Sequence, residues 1–329
     1  ADILSGRKNP LAFMEKDIMT ESRTQSILEE LAREAAARLP HPGALKIQVS
    51  GLKIIRREES NRLIDCVSST SVGFIVQGRK AARMLGANLA YGAGSAIVTS
   101  VELPDSFEAI GAARENPFFG IVLDLEEDVM TTVLARLRDR PVPECMFGSG
   151  GIQGSRAATV FPATEQMLDA LLRLLRLADE GAGAAFMAPL VKEELYFRLL
   201  MSPAAGAFRA LFSSGTPESR IREAAAWMRA NYRRDFDVAD TASRFGMSAA
   251  TFYRYFREIL GASPRQYVKT LRLYEAKRLM MDEGMDAAAA AFEVGYESAA
   301  YFSREYKRAF GLPPRAHVEA CRAQAADAA

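Results

Sequence analysis

The chain has 329 residues and 36.0 kDa, 49% of them hydrophobic and 25% charged. It is therefore longer than one small module, too apolar for a disordered segment, and free of collagen-like or disulfide-scaffold bias. Lys+Arg 42 against Asp+Glu 41 leaves it near neutral, so the whole molecule does not advertise a polyanionic partner and any charge argument has to be local.

Cys66, Cys145 and Cys321 are an odd number without CxxC spacing, which predicts a reducing, cytoplasmic setting. The opening ADILSGRKNPLAFMEKD lacks the apolar run of a signal peptide, and no later stretch has the composition of a membrane span, so a soluble protein is expected. Only His41 and His317 are available as imidazoles, and they stand at opposite ends of the chain. Histidine-rich metal sites and histidine-based triads are thereby disfavoured, and no catalytic residue, metal or cofactor is predicted.

After a polar leader, Ile27, Leu28, Leu31, Ala35 and Leu39 recur at helical spacing and predict a helix over 24–39, closed by Pro40. From Ala44 to about Asp124 the texture changes to short β-branched and aromatic runs, among them ALKIQV, VGFIV, SAIVTSVEL and FFGIVLDL, separated by turn residues. This predicts a barrel or sandwich without intervening helices. A helical pattern resumes at Leu125, interrupted by FGSGGIQGS at 147–155, which reads as a loop.

Thr164 is placed to cap a helix whose Met167, Leu168, Leu171, Leu172, Leu174 and Leu175 form an apolar face wider than one seam. That face suits either the core or a dimer interface within 164–201. Pro189 reads as the first residue of the next helix. The composition break at 213–219 predicts a linker between two domains, 21–212 and 220–318, with 319–329 as a tail.

Beyond Pro217 the chain is helical throughout and repeats with a period near 50 residues. Ala242, Gly246, Ser248, Phe252, Arg254, Phe256, Gly261 and Pro264 correspond to Ala291, Gly295, Ser298, Phe302, Arg304, Tyr306, Gly311 and Pro314. A small residue where helices cross, a glycine that turns the chain and a serine that caps the next helix together describe a helix-turn-helix. The second helices, 249–260 and 299–310, turn Phe252, Phe256, Phe302 and Tyr306 inward and leave Tyr253, Arg254, Arg257, Tyr301, Arg304 and Lys307 outward.

Between the units, Pro264 to Met281 predicts a spacer helix about 27 Å long. Within 251–278, Arg254, Arg257, Arg265, Lys269, Arg272, Lys277 and Arg278 face only Glu258 and Glu275, a local basic stripe of the kind a phosphate backbone requires.

The segment FEVGYESAAYFSREYKRAFGLPPRAHV, together with the first unit, resembles the DNA-binding domain of the AraC/XylS family of bacterial transcription regulators. The likeness covers 217–318. Residues 25–140 resemble the cupin-like N-terminal domain of one subgroup of that family, notably around VGFIVQGRKAARMLGANLAYGAGSAIVTSVELP. The resemblance implies an α+β protein: an N-terminal cupin-like barrel or sandwich with flanking helices, then an all-α domain of two helix-turn-helix units joined by a linker helix. It also implies double-stranded DNA as partner, a homodimer, a small-molecule effector and, for an activator, RNA polymerase.

On that reading Arg254 and Arg304 address bases, Tyr253 and Tyr301 a base or the sugar-phosphate, and Ser248, Ser298, Arg257 and Lys307 the phosphates. Ala250 and Ala300 stand where many relatives present longer polar side chains, so readout is expected to rest on few arginines, thymine-methyl contacts and DNA shape. Ala287 to Ala291 replace a larger aliphatic residue, which predicts a looser second unit.

The strand region 44–124 has no histidine, which argues against a cupin metal enzyme. Phe74, Ile75, Phe107, Phe118 and Phe119 instead offer an apolar pocket lining, and Cys66 an electrophile sensor. A ligand-independent DNA-binding protein and a cupin-type enzyme without histidine ligands are the alternative functions.

Overall fold

The computed structural model describes residues 10–60, 64–85, 87–137, 153–155, 157–212 and 215–327. The chain opens with α1 (Pro10–Arg38), which starts well before the predicted residue 24. After Pro10 at the first helical position, the stretch to Arg23 contains no glycine or further proline and is rich in Leu, Met, Glu and Lys, so nothing in it stops a helix.

Nine strands follow in short order: β1 (Gly43–Lys46), β2 (Leu52–Arg57), β3 (Ile64–Ser68), β4 (Ser71–Gln77), β5 (Arg79–Met84), β6 (Ala87–Gly92), β7 (Ser95–Thr99), β8 (Leu103–Ile110) and β9 (Phe118–Asp124). The segment then continues with α2 (Glu127–Leu137), β10 (Gln153–Ser155) and β11 (Ala158–Pro162). Most of the glycine-rich stretch read as a loop lies outside the described residues. Its last three residues are strand rather than loop, because they pair with β11 in the register Gln153↔Val160 to Ser155↔Ala158.

The strands form two antiparallel sheets, one of seven in the order β1-β2-β9-β4-β7-β11-β10 and one of four in the order β3-β8-β5-β6. In the larger sheet Val72 faces Leu123 and Phe74 faces Ile121, while Ile54 pairs with Ile121 from the other side. Period-two alternation thus lines one face with β-branched and aromatic groups. A bulge between Ile75 and Gln77 shifts the register at the end of β4.

One face of this sheet carries a layer of helices, α1, α2, α3 (Glu165–Leu177) and α4 (Ala182–Leu200), followed by α5 (Ala205–Phe212). Met167, Leu168, Leu171, Leu172, Leu174 and Leu175 of α3 are all buried in this layer. The wide apolar face is therefore used within the chain, with α1 against one side and α4 against the other. Arg176 of α3 fastens α1 through Glu30 at 2.7 Å and Glu34 at 3.1 Å, and Arg173 reaches Glu194 of α4 at 2.6 Å.

The helix containing Pro189 begins seven residues before it, at Ala182, so the proline is interior rather than first. Its surroundings are alanine-rich and exposed on that turn, so the carbonyl deprived of a partner by the missing N–H faces water.

The C-terminal part is all-helical: α6 (Pro217–Ala230), α7 (Val238–Arg244), α8 (Ala249–Leu260), α9 (Pro264–Asp282), α10 (Ala287–Glu293), α11 (Ala299–Phe310) and α12 (Pro314–Asp327). The α+β class with a C-terminal helical domain is as expected. The linker helix α9 does more than span a distance. Its first half buries Tyr267, Val268 and Leu271 with the first unit, and its second half buries Leu273, Ala276, Leu279 and Met280 with the second.

The core of the first unit also runs on into the space between the two sheets. Ile221, Phe252, Phe256 and Leu260 belong to the same buried cluster as Ile75, Phe107, Phe118 and Val160. Polar contacts reinforce that seam. The Ala157 amide donates to the Ile259 carbonyl at 3.0 Å, the Tyr267 hydroxyl donates to the Glu102 carbonyl at 3.2 Å, and Arg229 pairs with the Glu102 carboxylate.

Candidate nucleic-acid interface

Each of the two units is built from an identical set of local devices. Asp237 caps α7 by accepting the Asp240 amide at 2.9 Å, and Asp286 caps α10 by accepting those of Ala288 and Ala289. The small residues Ala242 and Ala291, fully buried, let the second helix cross closely. Gly246 and Gly295 then turn the chain with φ of +66° and +91°. Ser248 and Ser298 accept the amides of Thr251 and Tyr301, each at 3.3 Å, and so start α8 and α11.

Inward, Phe252 and Phe256 pack as a tilted pair with ring centroids 5.4 Å apart, as do Phe302 and Tyr306. Four aromatic anchors of the same spacing thus fix the rotation of both helices about their axes, and with it which residues face out.

The outward residues are Ser248, Ala250, Tyr253, Arg254 and Arg257 on α8, and Ser298, Ala300, Tyr301, Arg304 and Lys307 on α11, all exposed. Every residue predicted for DNA contact therefore lies on one of two equivalent faces. The two arginines are supported differently. The Arg254 guanidinium lies 4.9 Å from the ring centre of Tyr255, whereas that of Arg304 lies 5.9 Å from the ring of Tyr301 on the exposed face itself. Ser248 and Ser298 already spend their hydroxyls as helix caps.

The basic stripe read from the sequence separates into two groups. Arg254, Arg257 and Arg265 have exposed side chains. Lys269 instead pairs with Glu305, Arg278 with Glu275 at 2.8 Å and Glu283 at 3.0 Å, and Arg272 spends its guanidinium on backbone carbonyls. The hydrogen bond from Lys269 holds the Glu305 carboxyl below its ordinary value of 4.5, outweighing the opposing effect of burial. Lys269 and Arg272 thus bind α9 to its neighbours, and Lys277 lies 5.3 Å from the Phe310 ring centre of α11, whereas Arg278 pairs within α9 and with the residue that closes it. Between the units lies a cleft of about 760 Å³, lined among others by Ser263, Arg265, Lys269, Tyr296, Ser298 and Tyr301.

The repeat reaches further than the sequence comparison found. At an offset of 52 residues, Ile221, Ala224 and Met228 of α6 match Leu273, Ala276 and Met280 of α9, all buried, and the C-termini of the two helices coincide at the same offset. Arg220 and Arg272 are equivalent in this alignment, and each donates from its Nη1 to the carbonyl of the turn glycine of its own unit, Gly246 at 3.2 Å and Gly295 at 2.8 Å. The change of offset from 49 to 52 hides this in the sequence, since the α9–α10 connection is three residues shorter than that of α6–α7.

The residues proposed for an effector pocket do not share one space. Phe74 and Phe119 are buried on the helix-covered face of the larger sheet, whereas Phe107 and Phe118, with Ile75, are buried between the sheets. Lys80 and Arg57 lie over the Phe107 ring at 4.2 and 5.9 Å. Cys66 stands opposite Asp105 in the β3–β8 register; its side chain is outside the described residues. Among the described residues no group of three or more His, Cys, Asp or Glu is arranged to hold a metal ion, and no helix is long and apolar enough to cross a membrane.

Comparison with known proteins gives the following. Residues 48–207 match the family described as AraC-type transcriptional regulator N-terminus, and residues 241–320 match a helix-turn-helix domain family. The chain is 27% identical over 152 residues to the HTH-type transcriptional activator RhaS of Mannheimia succiniciproducens, covering 46% of this chain and 54% of that protein. It is 30% identical over 157 residues to the virulence regulon transcriptional activator VirF of Yersinia enterocolitica, covering 47% and 56%. The chain thus spans about half the length of the curated relatives it matches. Among solved structures, apo ToxT from Vibrio cholerae, in a lysine-to-alanine variant, superposes with a TM-score of 0.50 at 11% identity, over 82% of this chain and 97% of that one, a likeness of fold.

Proposed function

The chain belongs to the AraC/XylS family of transcription regulators, and from that premise we propose that it binds double-stranded DNA sequence-specifically and regulates transcription. In this reading 220–318 is the DNA-binding domain, 21–212 the sensor and dimerisation domain, 213–219 the linker and 319–329 a tail. The observation that carries the reading is the pair of equivalent exposed faces, each with an arginine at the sixth position of its helix and a tyrosine one position before it on α8 and three before it on α11, held out by an equivalent buried aromatic pair. Helix-turn-helix readers place such faces in successive major grooves about 34 Å apart. Arg254 and Arg304 read guanine edges, Tyr253 and Tyr301 touch base or sugar, and Arg257 and Lys307 neutralise phosphates. Ala250 and Ala300 add thymine-methyl contacts. Ser248 and Ser298 meet the phosphates from the ends of their helices, where the first turn's amides favour an anion.

Fluorescence anisotropy on DNA flanking the protein's own gene, with scrambled competitor and a salt series, tests this. Selective binding with a steep salt slope is expected. Equal affinity for the scrambled sequence, with and without small-molecule extracts, would sink the reading.

An effector entering between the sheets, beside Phe107 and Phe118, would act on the same buried cluster that supports the first helix-turn-helix unit. Ligand occupancy and DNA affinity would thereby be linked through one packing arrangement. Homodimerisation fits the first half of α4. There Phe186, Met187 and Leu190 are 75%, 41% and 48% exposed on one face, while the leucine face of α3 is already covered. Leu190→Glu should abolish a dimer in analytical ultracentrifugation, and a wild-type protein that sediments as a monomer at all concentrations removes this part of the reading. The cytoplasm is the compartment this function requires, and as an activator the protein would contact RNA polymerase.

A further inference from the structure

Arg220 and Arg272 occupy equivalent positions of the repeat, yet they do different amounts of binding. Arg220, exposed, donates to the turn of its own unit, its one hydrogen bond among the described residues. Arg272 makes that bond and two more. Its Nε donates to the Tyr232 carbonyl at 2.7 Å and its Nη2 to the Arg234 carbonyl at 2.9 Å, both on the α6–α7 connection of the first unit. One planar guanidinium thus joins backbone atoms of both units, and the five donors of an arginine in a fixed fork are what such a joint requires.

The surroundings are built to the same end. A Cβ placed on Gly295 would lie 2.6 Å from the Arg233 carbonyl oxygen and 3.2 Å from the Arg272 Cζ, so only glycine lets the second turn approach the first unit this closely. The equivalent Gly246 meets nothing nearer than 3.5 Å. Arg233 of the first unit also pairs with Glu293 of the second at 3.0 Å.

We propose that Arg272 is a positioning residue that sets the separation and relative rotation of the two recognition helices, and hence the spacing of the two DNA boxes the protein accepts. This rests on the DNA-binding reading above for its consequence, though not for its geometry. α9 meets each unit through side chains on a different half of the helix, and side chains can repack. The guanidinium, by contrast, bonds main-chain atoms, which cannot turn away as side chains do.

Two readouts test it in the full chain. Spin labels at Ala250→Cys and Ala300→Cys, in a background with Cys66, Cys145 and Cys321 changed to serine, report the distance between the recognition helices by pulsed dipolar spectroscopy without any DNA. A single narrow distribution is expected with Arg272, and one at least twice as wide with Arg272→Lys, which keeps the charge but cannot make three bonds in a plane. Equal widths overturn the proposal, whatever the DNA experiments show.

The second readout is affinity for two-box DNA with the spacing changed by one and two base pairs. The wild type should prefer one spacing by tenfold or more, and Arg272→Lys should flatten that preference while single-box affinity stays within about twofold. A variant whose spacing preference remains as sharp, or whose single-box affinity falls equally, shows that Arg272 acts only on folding. Should Arg272→Lys not fold, Gly295→Ala provides the second variant, expected to move the mean distance by displacing the turn from Arg233. An unmoved mean counts against the proposal. Failure of the DNA-binding reading would appear differently, as unselective binding by a wild type whose label distribution is narrow.

Discussion

The Tyr267 hydroxyl and the Glu102 backbone carbonyl, 165 residues apart in sequence, meet at 3.2 Å, and the same hydroxyl lies 3.5 Å from the Ala225 carbonyl. The ring is fully buried against Phe256 at 5.5 Å, and burial pushes its phenol well above the ordinary value of 10.0, so it is a neutral donor throughout the physiological range. The contact ties the helix shared by both units to the segment preceding β8, next to the Arg229–Glu102 pair. The N-terminal sheets and the first unit are in this way one packed body with a polar fastening at its edge.

Replacing Tyr267 with phenylalanine keeps the ring and removes the fastening. A net hydrogen bond of this kind contributes about 1 kcal/mol. The urea midpoint should therefore fall by a corresponding amount with an unchanged m-value, and the amides around 100–103 should exchange faster. An unshifted midpoint would mean that the hydroxyl is solvated rather than bonded to Glu102.

The serines and arginines of the recognition helices should separate in two assays. Ser248→Ala and Ser298→Ala each remove an N-cap and should cost about 1 kcal/mol of stability. Arg254→Ala and Arg304→Ala, whose side chains are exposed, should leave stability within about 0.5 kcal/mol and instead cost about 1–3 kcal/mol in binding to cognate DNA, relaxing specificity at one base pair each. Thermal unfolding and anisotropy on the same four variants check this. Arginine variants that lose stability and keep affinity would reverse the assignment.

Much of this was legible in sequence because the informative residues are those with few physical substitutes. Aspartate or serine before a helix, a glycine at positive φ and an aromatic pair four apart each signal one local geometry, and two copies in the same order signalled the repeat. The strands were legible as short β-branched runs for the same reason.

What remained hidden depends on contacts between distant segments. The stripe of α3 looks the same whether it meets α4 or a second chain, and the side on which a strand presents Phe118 or Phe119 depends on sheet order. Lys269 and Arg272 read as free cations because Glu305 and the carbonyls of Tyr232 and Arg234 are far away in the chain. The start of α1 was missed although Leu11, Met14 and Ile18 recur at helical spacing after Pro10, because the charged residues between them make the stretch read as a polar leader.

The two turn glycines should respond unequally to alanine. Both have positive φ, which costs a residue with a Cβ about 1–2 kcal/mol. At Gly246 the added methyl meets only the flexible end of Arg220, at 3.5 Å, so the cost should stop there. At Gly295 the methyl would stand 2.6 Å from a backbone oxygen, which cannot swing aside, and the loss should be larger by at least a further 1 kcal/mol. Equal losses in denaturant unfolding would show that the second turn is free to move away from Arg233.

Acid should loosen α11 through Glu305. Its carboxyl is almost fully buried and held below 4.5 by the hydrogen bond from Lys269, with Arg308 at 2.9 Å adding to the effect. A group whose folded pKa is depressed stabilises fully above its unfolded value and loses that contribution as pH falls through the folded one. The Lys269–Glu305 joint should therefore be whole at pH 6 and weaken progressively below about pH 4.5. Glu305→Gln should lower stability at pH 6 and flatten its slope between pH 5 and 3. A variant with the wild-type slope would place the acid sensitivity elsewhere.

The second unit should be the first to open. Its core is a separate cluster to which α10 contributes only Ala290 and Ala291 as buried residues, each short of the methylenes a leucine or isoleucine would bury at about 0.8 kcal/mol apiece. The first unit draws on the same kind of small helix, but its Phe252, Phe256, Ile259 and Tyr267 continue into the core between the sheets, so opening α8 also exposes apolar surface of the N-terminal domain. Local opening free energy follows the area released. Amides of α10 and the first turns of α11 should accordingly exchange through an opening of lower free energy than those of α7 and α8, and DNA should narrow the difference by contacting Arg304 and Lys307. Native-state exchange that finds α11 at least as protected as α8 without DNA would refute this order, and would mean that the Arg272 and Lys269 joints stabilise the second unit more than its thin core weakens it.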